Sequence, residues 1–256
     1  MQESKASEGA VTQAIRRAVS LIKAVANQND RGTRLSQVAN DLGLHPATAY
    51  RILNDLVLEG LLVRNQRTKR YHVGFELYRL AQTASQFTIR EYLHETMDLI
   101  ASHTADAVML IVRVGPDSIC IARTHGSSPL RVSTIEVGER RPLGLGAGSA
   151  VILASLSEVE RERLIEFNSS RYKKHLNLTV EQVRWAVQKV LETGYMHSDG
   201  LFMAEVGVVG VPVLDKNEHV IAALSVGSSR ARMTATRAHD IANLVRQLLP
   251  EVPSLT

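Results

Sequence analysis

The sequence predicts a mixed α+β protein in two parts: a helical N-terminal third and a larger C-terminal part built on a mostly antiparallel sheet. Three observations predict this division. Apolar residues recur at helical spacing through the first 60 residues. Two pairs of Val- and Ile-rich runs, each pair joined by a short turn, follow after residue 106. Residues 1–90 hold 13 Lys or Arg against 7 Asp or Glu, whereas the rest of the chain holds 17 against 19, so the basic character belongs to the N-terminal part.

Composition sets the broad class of the protein. The 256 residues are 45% apolar and 22% charged, which allows a substantial core in one large domain or two modest ones. Cys120 is the single cysteine, so an internal disulfide and a cysteine-rich zinc site are excluded. The first ten residues lack the apolar stretch of a signal peptide, and no run approaches the roughly 18 apolar residues of a membrane helix. We therefore expect a cytoplasmic protein with no membrane partner.

Three helices are predicted in the N-terminal part, after a flexible tail at residues 1–10. The second lies within LSQVANDLGL, where Gly43 is placed to end it in a left-handed turn. The third begins at Pro46, whose fixed φ suits the first helical position, and runs to about Glu59 before Gly60. Two short helices joined by a tight glycine turn predict a helix-turn-helix. The first helix, at 11–26, has an apolar face that comprises Ala14, Ile15, Ala18, Leu21, Ile22 and Val25.

The third helix has one face that is rich in polar groups. If Ala49, Ile52, Leu53 and Leu56 form the buried stripe, the residues that face outward are Ala47, Thr48, Tyr50, Arg51 and Asn54. Such a helix suits the major groove of DNA, where arginine contacts guanine edges and hydroxyl groups bond phosphates or contact thymine methyls. We therefore predict a recognition helix for double-stranded DNA, with Arg51 on a base or a phosphate.

A basic β-hairpin is predicted directly after the recognition helix. The strand-prone residues 61–63 and 71–73 flank a tip that carries four cations: Arg64, Arg67, Lys69 and Arg70. A charged tip by itself is most simply a solvated loop. After a helix-turn-helix it is typical of a wing whose cations bind phosphates. The predicted winged helix-turn-helix spans residues 11–74.

A linker helix at residues 75–88 is predicted to precede the C-terminal domain, residues 89–252. The linker is expected to pack through Phe75, Leu77, Leu80 and Ala81, and a second amphipathic helix follows in EYLHETMDLIAS. Hairpins are predicted from AVMLIVRV with SICIART and from VGVVGVPVLD with VIAALSVGS, and LRVSTI could add a further strand. Residues 146–193 and 234–249 are predicted to be helical. The Val, Ile and Ala residues of the second hairpin favour burial on both faces.

These segments together resemble a known family. The chain is similar to IclR-type bacterial transcriptional regulators in the order of five stretches that cover most of its length: LSQVANDLGLHPATAYRILNDLVLEGLLVR, YHVGFELYRLA, VGERRPLGLGAGSAVILASL, ETGYMHSDG and VGVPVLDKNEHVIAALSVGSSRARM. The resemblance implies a winged helix-turn-helix, a linker helix and a GAF-like effector-binding domain, assembled as homodimers or dimers of dimers. Ala47 departs from the family, which often has a hydroxyl residue there.

A glycine-rich stretch, RPLGLGAGSAVILA, is the best candidate for a ligand site in the C-terminal domain. Gly144, Gly146 and Gly148 precede a helix, and the exposed N–H groups of a helix N-terminus suit a carboxylate. The stretch is neither a P-loop nor a dinucleotide-binding fingerprint, because it lacks Gly-Lys-Ser/Thr and the required βαβ context. From the residues alone, a tight turn into a packed helix remains the simpler interpretation. The family resemblance favours a ligand.

The resemblance also implies which residues line an effector pocket. They are Ala147, Gly148, Ser149, Ser198, Asp199, Val206, Val208, Ser225 and Gly227, and His197, which lies nearby in the sequence, could donate to the ligand. Some relatives have acidic or thiol groups where this chain has Ser198 and Val208. We therefore expect a small organic effector with an apolar or aromatic body and one carboxylate.

No catalytic chemistry is indicated by the sequence. The nine histidines include no helical pair with a supporting carboxylate, and Cys120 lies in an apolar strand where it is expected to act as a small buried hydrophobe. We therefore expect no metal, no cofactor and no catalytic residue. The predicted function is a ligand-responsive, sequence-specific transcriptional regulator, either repressor or activator, with the signal crossing the linker. Two alternatives stay open: an enzyme that acts on a small acid with the N-terminal domain as a tether, and a winged helix that binds only proteins.

Overall fold

The computed structural model describes residues 2–82, 85–128 and 135–253. The chain divides into two compact units, Met1–Ala84 and Ser85–Thr256. The first unit contains α1 (Gln2–Ala26), α2 (Leu35–Asp41), α3 (Pro46–Leu58), β1 (Leu62–Arg64), β2 (Tyr71–Val73) and α4 (Phe75–Gln82). The second contains α5 (Ser85–Thr104), β3 (Ala107–Val114), β4 (Asp117–Thr124), β5 (Arg140–Pro142), α6 (Ala147–Ala154), α7 (Glu158–Leu176), α8 (Val180–Thr193), β6 (Met196–Asp199), β7 (Val206–Leu214), β8 (Val220–Ser229) and α9 (Ala235–Leu248).

Helix α1 is longer than the sequence predicted. It includes residues 2–10, which were expected to form a tail, because this stretch contains no proline and consists largely of residues that propagate a helix. Among residues 13–26 of α1, whose side chains are described, Leu21 and Val25 are fully buried in the core of the unit. Ile15, predicted on the apolar face, is 62% exposed.

The helix-turn-helix forms as predicted. Gly43 adopts a positive φ of +61° after α2, and the N–H of Leu44 donates to the carbonyl of Ala39 at 2.8 Å, which closes the helix end. Gly60, with φ of +70°, follows α3 in the same way. The predicted hairpin is also present, since β1 pairs antiparallel with β2 and Leu62 faces Val73.

Helix α4 does not pack as the sequence predicted. Phe75 is 75% exposed and Leu80 is 46% exposed, although both were expected to be buried. The core of the unit is instead completed by Leu62 and Tyr71 of the hairpin, which leaves this face of α4 uncovered within its own unit. The Phe75 and Tyr78 rings lie 5.6 Å apart, centre to centre, on that face.

The second unit is built on a six-stranded antiparallel sheet with the strand order β5-β4-β3-β8-β7-β6. Both predicted hairpins are present as β3–β4 and β7–β8. The sheet edges were not predicted, because β5 and β6 are only three and four residues long. The predicted strand LRVSTI lies, except for Ile135, outside the described residues.

Both faces of this sheet are buried, as its Val- and Ile-rich strands predicted. Side chains alternate along β3 and β7, so successive residues join different cores. One face packs against α6, α7 and α8 and includes Met109, Ile111, Val206 and Val208. The other face packs against α5 and α9 and includes Val108, Leu110, Val112, Val209, Val211 and Leu224.

Candidate nucleic-acid interface and ligand pocket

Helix α3 begins with a histidine cap. His45 is extended, and its Nδ1 accepts a hydrogen bond from the N–H of Ala47 at 3.3 Å. Pro46, at the first helical position, has no N–H to satisfy. The missing hydroxyl at Ala47 therefore does not leave the helix uncapped, because His45 supplies the acceptor.

The outer face of α3 presents the residues that the sequence predicted for DNA. Tyr50 is 44% exposed, and Arg51 and Ala47 are also exposed, while Thr48 and Asn54 are half-buried. The opposite face holds the buried Ala49, Leu53 and Leu56 and the partly buried Ile52. The polar side chains at the start of α3 are thus accessible to a partner as large as a DNA groove.

The tip of the hairpin is ordered by its own side chains. Asn65 Oδ1 accepts hydrogen bonds from the N–H groups of Arg67 and Thr68, both at 3.0 Å, which is an Asx turn. Lys69 adopts a positive φ of +57°, and its N–H donates to the carbonyl of Asn65 at 2.9 Å. Arg67 and Lys69 are therefore held at the exposed end of a short, well-defined turn.

The other two cations of the predicted wing make contacts inside the unit. The Arg64 guanidinium lies over the Tyr71 ring, 5.6 Å from its centre, and Arg70 Nη1 donates to the carbonyl of Gly32 at 2.7 Å. Burial raises the pKa of the Tyr71 hydroxyl, although the Arg64 charge opposes this. Arg70 thus anchors the hairpin to the rest of the unit and Arg64 contacts the opposite strand within the hairpin, while Arg67 and Lys69 remain the outermost cations of the tip.

A narrow, mostly apolar cleft lies on the α6 face of the sheet in the second unit. Its cavity volume is about 40 Å³, and the space rises to about 500 Å³ when all the space between the lining atoms, open solvent included, is counted. Of the predicted effector residues, those that line it are Ala147, Gly148, Ser149, Ser198, Val206, Val208 and Ser225. The other described residues that line it are Met109, Ile111, Ser118, Ile135, Arg141, Leu145, Gly146, Phe202 and Met203.

The cleft crosses the sheet from one edge to the other. At one edge, Arg141 of β5 lies opposite Ser118 of β4, so that their side chains share a face. At the other edge, Ser198 of β6 lies opposite Val208 of β7. Polar groups therefore stand at both ends of the cleft, and the apolar residues of β3 and β7 lie between them.

The hydroxyl groups of the cleft differ in their partners. Ser149 Oγ accepts a hydrogen bond from the N–H of Gly144 and lies 2.8 Å from Ser118 Oγ, so these two serines form a chain. Ser198 is fully buried, and its Oγ has no hydrogen-bond partner. An unpaired buried hydroxyl is costly, which makes Ser198 a group that a ligand atom would satisfy.

The N-terminus of α6 forms the roof of the cleft. Gly146 occupies the N-cap position with φ of +106°, a conformation that favours glycine, and the amides of residues 147–149 have no acceptor within the helix. A Cβ on Gly210 of β7 would lie 2.5 Å from the carbonyl carbon of Ala147, so the α6 backbone rests directly on the sheet. These amides can donate to a carboxylate.

Three of the predicted effector residues do not line the cleft. His197 and Asp199 flank Ser198 on β6, and since side chains alternate along a strand they face the opposite side of the sheet. There His197 Nε2 lies 3.1 Å from the Met233 carbonyl, and the Arg230 hydrogen bond lowers the pKa of Asp199. Gly227 is buried beyond the cleft on β8.

Arg141 was not predicted, and it is the charged group of the cleft. Its Nε donates to Glu139 Oε1 at 2.7 Å, and its side chain is 17% exposed. Burial raises the pKa of Glu139, but hydrogen bonds from Arg141 and from the N–H of Glu136 more than offset this and lower the pKa below its usual value. The Glu139 side chain is therefore a carboxylate at neutral pH.

Two family models match the chain. The model described as "Bacterial transcriptional regulator IclR C-terminal" matches residues 81–252, and the model described as "IclR helix-turn-helix domain" matches residues 14–66. The chain belongs to the IclR family of bacterial transcriptional regulators. The predicted family and the predicted fold class are thereby confirmed.

Relatives of this IclR-family regulator span most of its length. The HTH-type transcriptional regulator KipR of Bacillus subtilis is 25% identical over 205 residues, covering 79% of this chain and 81% of the relative. XynR of Escherichia coli is 22% identical over 240 residues, 93% of each chain. The crystal structure of an IclR homologue from Microbacterium hydrocarbonoxydans, complexed with 4-hydroxybenzoate, has a TM-score of 0.75 at 20% identity and covers 92% of this chain and 95% of that one.

Three further features of this IclR-family regulator concern metal ligands, membrane-spanning helices and the cysteine. Among the described residues, no three His, Cys, Asp or Glu side chains are grouped so that they could hold a metal ion. In the same part of the chain, no helix combines the length and apolar character that are needed to cross a bilayer. Cys120 is buried, as predicted, and burial raises the pKa of its thiol to about 11.

The residues that sequence patterns missed share one property. Arg141, Met109 and Phe202 reach the regulator's cleft from separate parts of the chain, and no recognisable spacing in the sequence connects the three. Strand pairing brings Arg141 beside Ser118 although 22 residues separate them along the chain. Only the position of Arg141, as the first residue of the stretch RPLGLGAGSAVILA, was visible in the sequence.

Proposed function

We propose that this protein is a ligand-responsive, sequence-specific DNA-binding regulator whose effector is a small carboxylic acid with an apolar or aromatic body. The observation that carries the proposal is the cleft under α6, in which an apolar wall is combined with a fully buried, unpartnered Ser198 hydroxyl. A buried donor without a partner at the wall of a pocket is the feature expected of a site that a ligand completes.

The rest of the cleft supports the same class of ligand. Met109, Ile111, Val206, Val208 and Phe202 provide apolar surface, which favours a hydrocarbon or aromatic body. The unpaired amides at the start of α6 favour an anion. The homologue from Microbacterium hydrocarbonoxydans is complexed with 4-hydroxybenzoate, an acid of this kind, which supports the proposal for this chain.

The DNA-binding role of individual residues is proposed on the geometry of the first unit. Ala47, Thr48, Tyr50, Arg51 and Asn54 on α3 would enter the major groove, with Arg51 on a base edge. Arg67 and Lys69 at the hairpin tip would bind phosphates directly. Arg70 would hold the hairpin to the rest of the unit, Arg64 would contact the opposite strand of the hairpin, and both would add to its positive field.

We further propose that the chain works as a homodimer or a dimer of dimers. Exposed apolar side chains on α1 and α4, among them Ile15, Val19, Phe75 and Tyr78, support association. Two copies would present paired recognition helices to a near-palindromic operator whose half-sites are about 34 Å apart, or a multiple of that distance.

An enzyme that acts on the same acid is less well supported. The described residues that line the cleft include no His, Asp, Glu, Lys or Cys, so the Ser118–Ser149 pair has no general base beside it. Curated relatives such as KipR and XynR are named as regulators.

The proposed function is tested by a gel-shift assay on the DNA beside the protein's own gene, with and without aromatic and aliphatic acids. We expect salt-sensitive, sequence-specific retention that at least one apolar acid changes. Calorimetry with the same acids measures direct binding. Retention that no acid alters, together with binding of none of them or only of small polar acids, would contradict the proposal.

A further inference from the structure

The cleft contains a charge in an otherwise neutral wall. Among the described residues that line it, Arg141 is the one of a charged residue type, and every other lining side chain is apolar or carries only a hydroxyl group. A guanidinium at the wall of an apolar cleft interacts strongly with an anion, because little water is present to screen the pair.

The guanidinium is only partly engaged by the protein. Nε donates to Glu139, whereas Nη1 and Nη2 make no hydrogen bond to any described residue. Ser118 lies directly opposite Arg141 in the β4–β5 register and on the same face. The available edge of the guanidinium and the Ser118 hydroxyl therefore belong to the same end of the cleft.

The hydrogen-bonded serines Ser149 and Ser118 leave one hydroxyl group able to donate at the Arg141 end of the cleft. Because Ser149 Oγ accepts from the N–H of Gly144, its own hydroxyl is able to donate to Ser118 Oγ. The Ser118 hydroxyl is then able to donate onward to a bound acceptor. A carboxylate here would accept hydrogen bonds from the charged guanidinium of Arg141 and from the neutral hydroxyl of Ser118.

We propose that Arg141 is the residue that selects an acid over its neutral analogue, by binding the effector's carboxylate through its Nη groups. This assignment rests on the proposed function, and it adds to that function a residue that precedes the three glycines of the glycine-rich stretch. A bidentate guanidinium carries a full charge, whereas a helix N-terminus contributes about half of one. Arg141 therefore supplies more of the discrimination than the α6 amides.

Glu139 is the positioning residue for this site. It fixes Nε at 2.7 Å, and its second carboxylate oxygen is fixed by the N–H of Glu136 at 2.9 Å. The same negative charge opposes a bound anion on the other edge of the guanidinium. Glu139→Gln keeps an acceptor for Nε and removes this repulsion, so it is expected to tighten acid binding several-fold.

The experiment is titration calorimetry of the full chain with matched pairs of probes, benzoate with benzamide and 4-hydroxybenzoate with 4-hydroxybenzamide. For each acid that binds, we expect the wild type to have a higher affinity for the acid than for the corresponding amide. Arg141→Gln is expected to lose about tenfold or more in acid affinity, because a charge-assisted hydrogen bond is removed, with little change for the amide. Arg141→Lys keeps the charge and is expected to recover part of the loss.

The control variant is Arg163→Gln, which removes the same charge from an exposed arginine on α7 that does not line the cleft. Thermal unfolding of every variant checks that it is folded.

Acid binding by Arg141→Gln that equals the wild type, or an equal loss in Arg163→Gln, overturns the assignment and leaves the proposed function intact. If Arg141→Gln fails to fold, Glu139→Gln decides, and unchanged or weaker acid binding in that variant overturns the assignment. Absence of acid binding in the wild type, with DNA retention insensitive to every acid, overturns the proposed function as well.

Discussion

Arg51 and Lys69 carry their charges on different parts of the DNA-binding unit. Arg51 is exposed at the start of α3, and Lys69 is exposed at the hairpin tip. Arg51→Ala should weaken specific binding and relax discrimination at one base pair, by about 1–3 kcal/mol. Lys69→Ala should weaken binding to all sequences alike and lower the slope of log K against log[salt] by about one. Fluorescence titrations on operator and scrambled DNA at several salt concentrations measure both effects, and indistinguishable variants would contradict these roles.

Gly148 leaves room for the Ser225 side chain beneath α6. A Cβ at position 148 would lie 2.4 Å from Ser225 Oγ and 3.1 Å from Ile111 Cγ1. We expect Gly148→Ala to lower acid affinity and to destabilise the fold by about 1–3 kcal/mol, as overpacking does. Calorimetry and urea unfolding measure the two effects. Ser225→Ala added to Gly148→Ala removes the closest of these atoms and should restore part of the stability, and a double variant that is less stable than Gly148→Ala would refute the steric explanation.

Cys120 should be unreactive in the folded protein. Burial raises the pKa of its thiol to about 11, so the nucleophilic thiolate is a minor species at pH 8, and the side chain is inaccessible. Alkylation by iodoacetamide at pH 8, followed by mass spectrometry, should be slow without denaturant and fast in concentrated urea. Rapid modification of the native protein would show that β4 opens readily.

The turn between α2 and α3 depends on a left-handed residue. Gly43 has φ of +61°, and a Cβ there would meet no atom within 4 Å. Gly43→Ala should therefore cost only the conformational strain, about 1 kcal/mol, without a clash. Gly43→Asn is the matched control, since asparagine tolerates this conformation. Urea unfolding should rank glycine above asparagine and asparagine above alanine, and equal stability of all three would contradict the assigned role.

Helices were more predictable than short strands in this chain. Pro46 and Gly60 mark the ends of α3 within the sequence itself, and the predicted helix agrees with the structure to within one residue. The strand β6 has no such signal, because Met196–Asp199 is short and its type depends on pairing with β7. Without that pairing, the opposite directions of Ser198 and of its neighbours His197 and Asp199 could not be known.

The burial of some apolar residues on α1 and α4 was predicted wrongly. Helical spacing identifies a stripe on α1 and on α4, but it does not say what covers the stripe. Ile15 and Phe75 were predicted to be buried, and within their own unit they are not. A pattern reports that a surface is apolar, whereas the partner is a property of the assembly.

Effector and operator should each change the affinity of the protein for the other by the same factor. A coupling of about 1–3 kcal/mol is typical of allosteric proteins and corresponds to a change of roughly 5- to 150-fold. DNA affinity measured with saturating acid, and acid affinity measured with saturating operator, should therefore give equal ratios. Unequal ratios at equilibrium would mean that a third species, such as a change in oligomeric state, takes part.

The predicted division of the chain into a DNA-binding part and a C-terminal sheet domain rests on two independent sequence signals that agree. The basic N-terminal residues coincide with the helix-turn-helix pattern, and the Val-rich hairpins coincide with the neutral remainder. The cleft was only partly visible, because its wall is assembled from all six strands, whereas the glycine-rich stretch supplies only the roof and Arg141.

Gly210 of β7 has no side chain, and this affects how the size of the cleft can change. Because the first turn of α6 packs against main-chain atoms at this point, the distance between α6 and the sheet is fixed by a residue that does not line the cleft. Any larger residue there would lift the helix and its row of amides together. Under the proposed function, a change in the size of accepted acids can thus arise from a position that does not line the cleft, with every lining side chain unaltered.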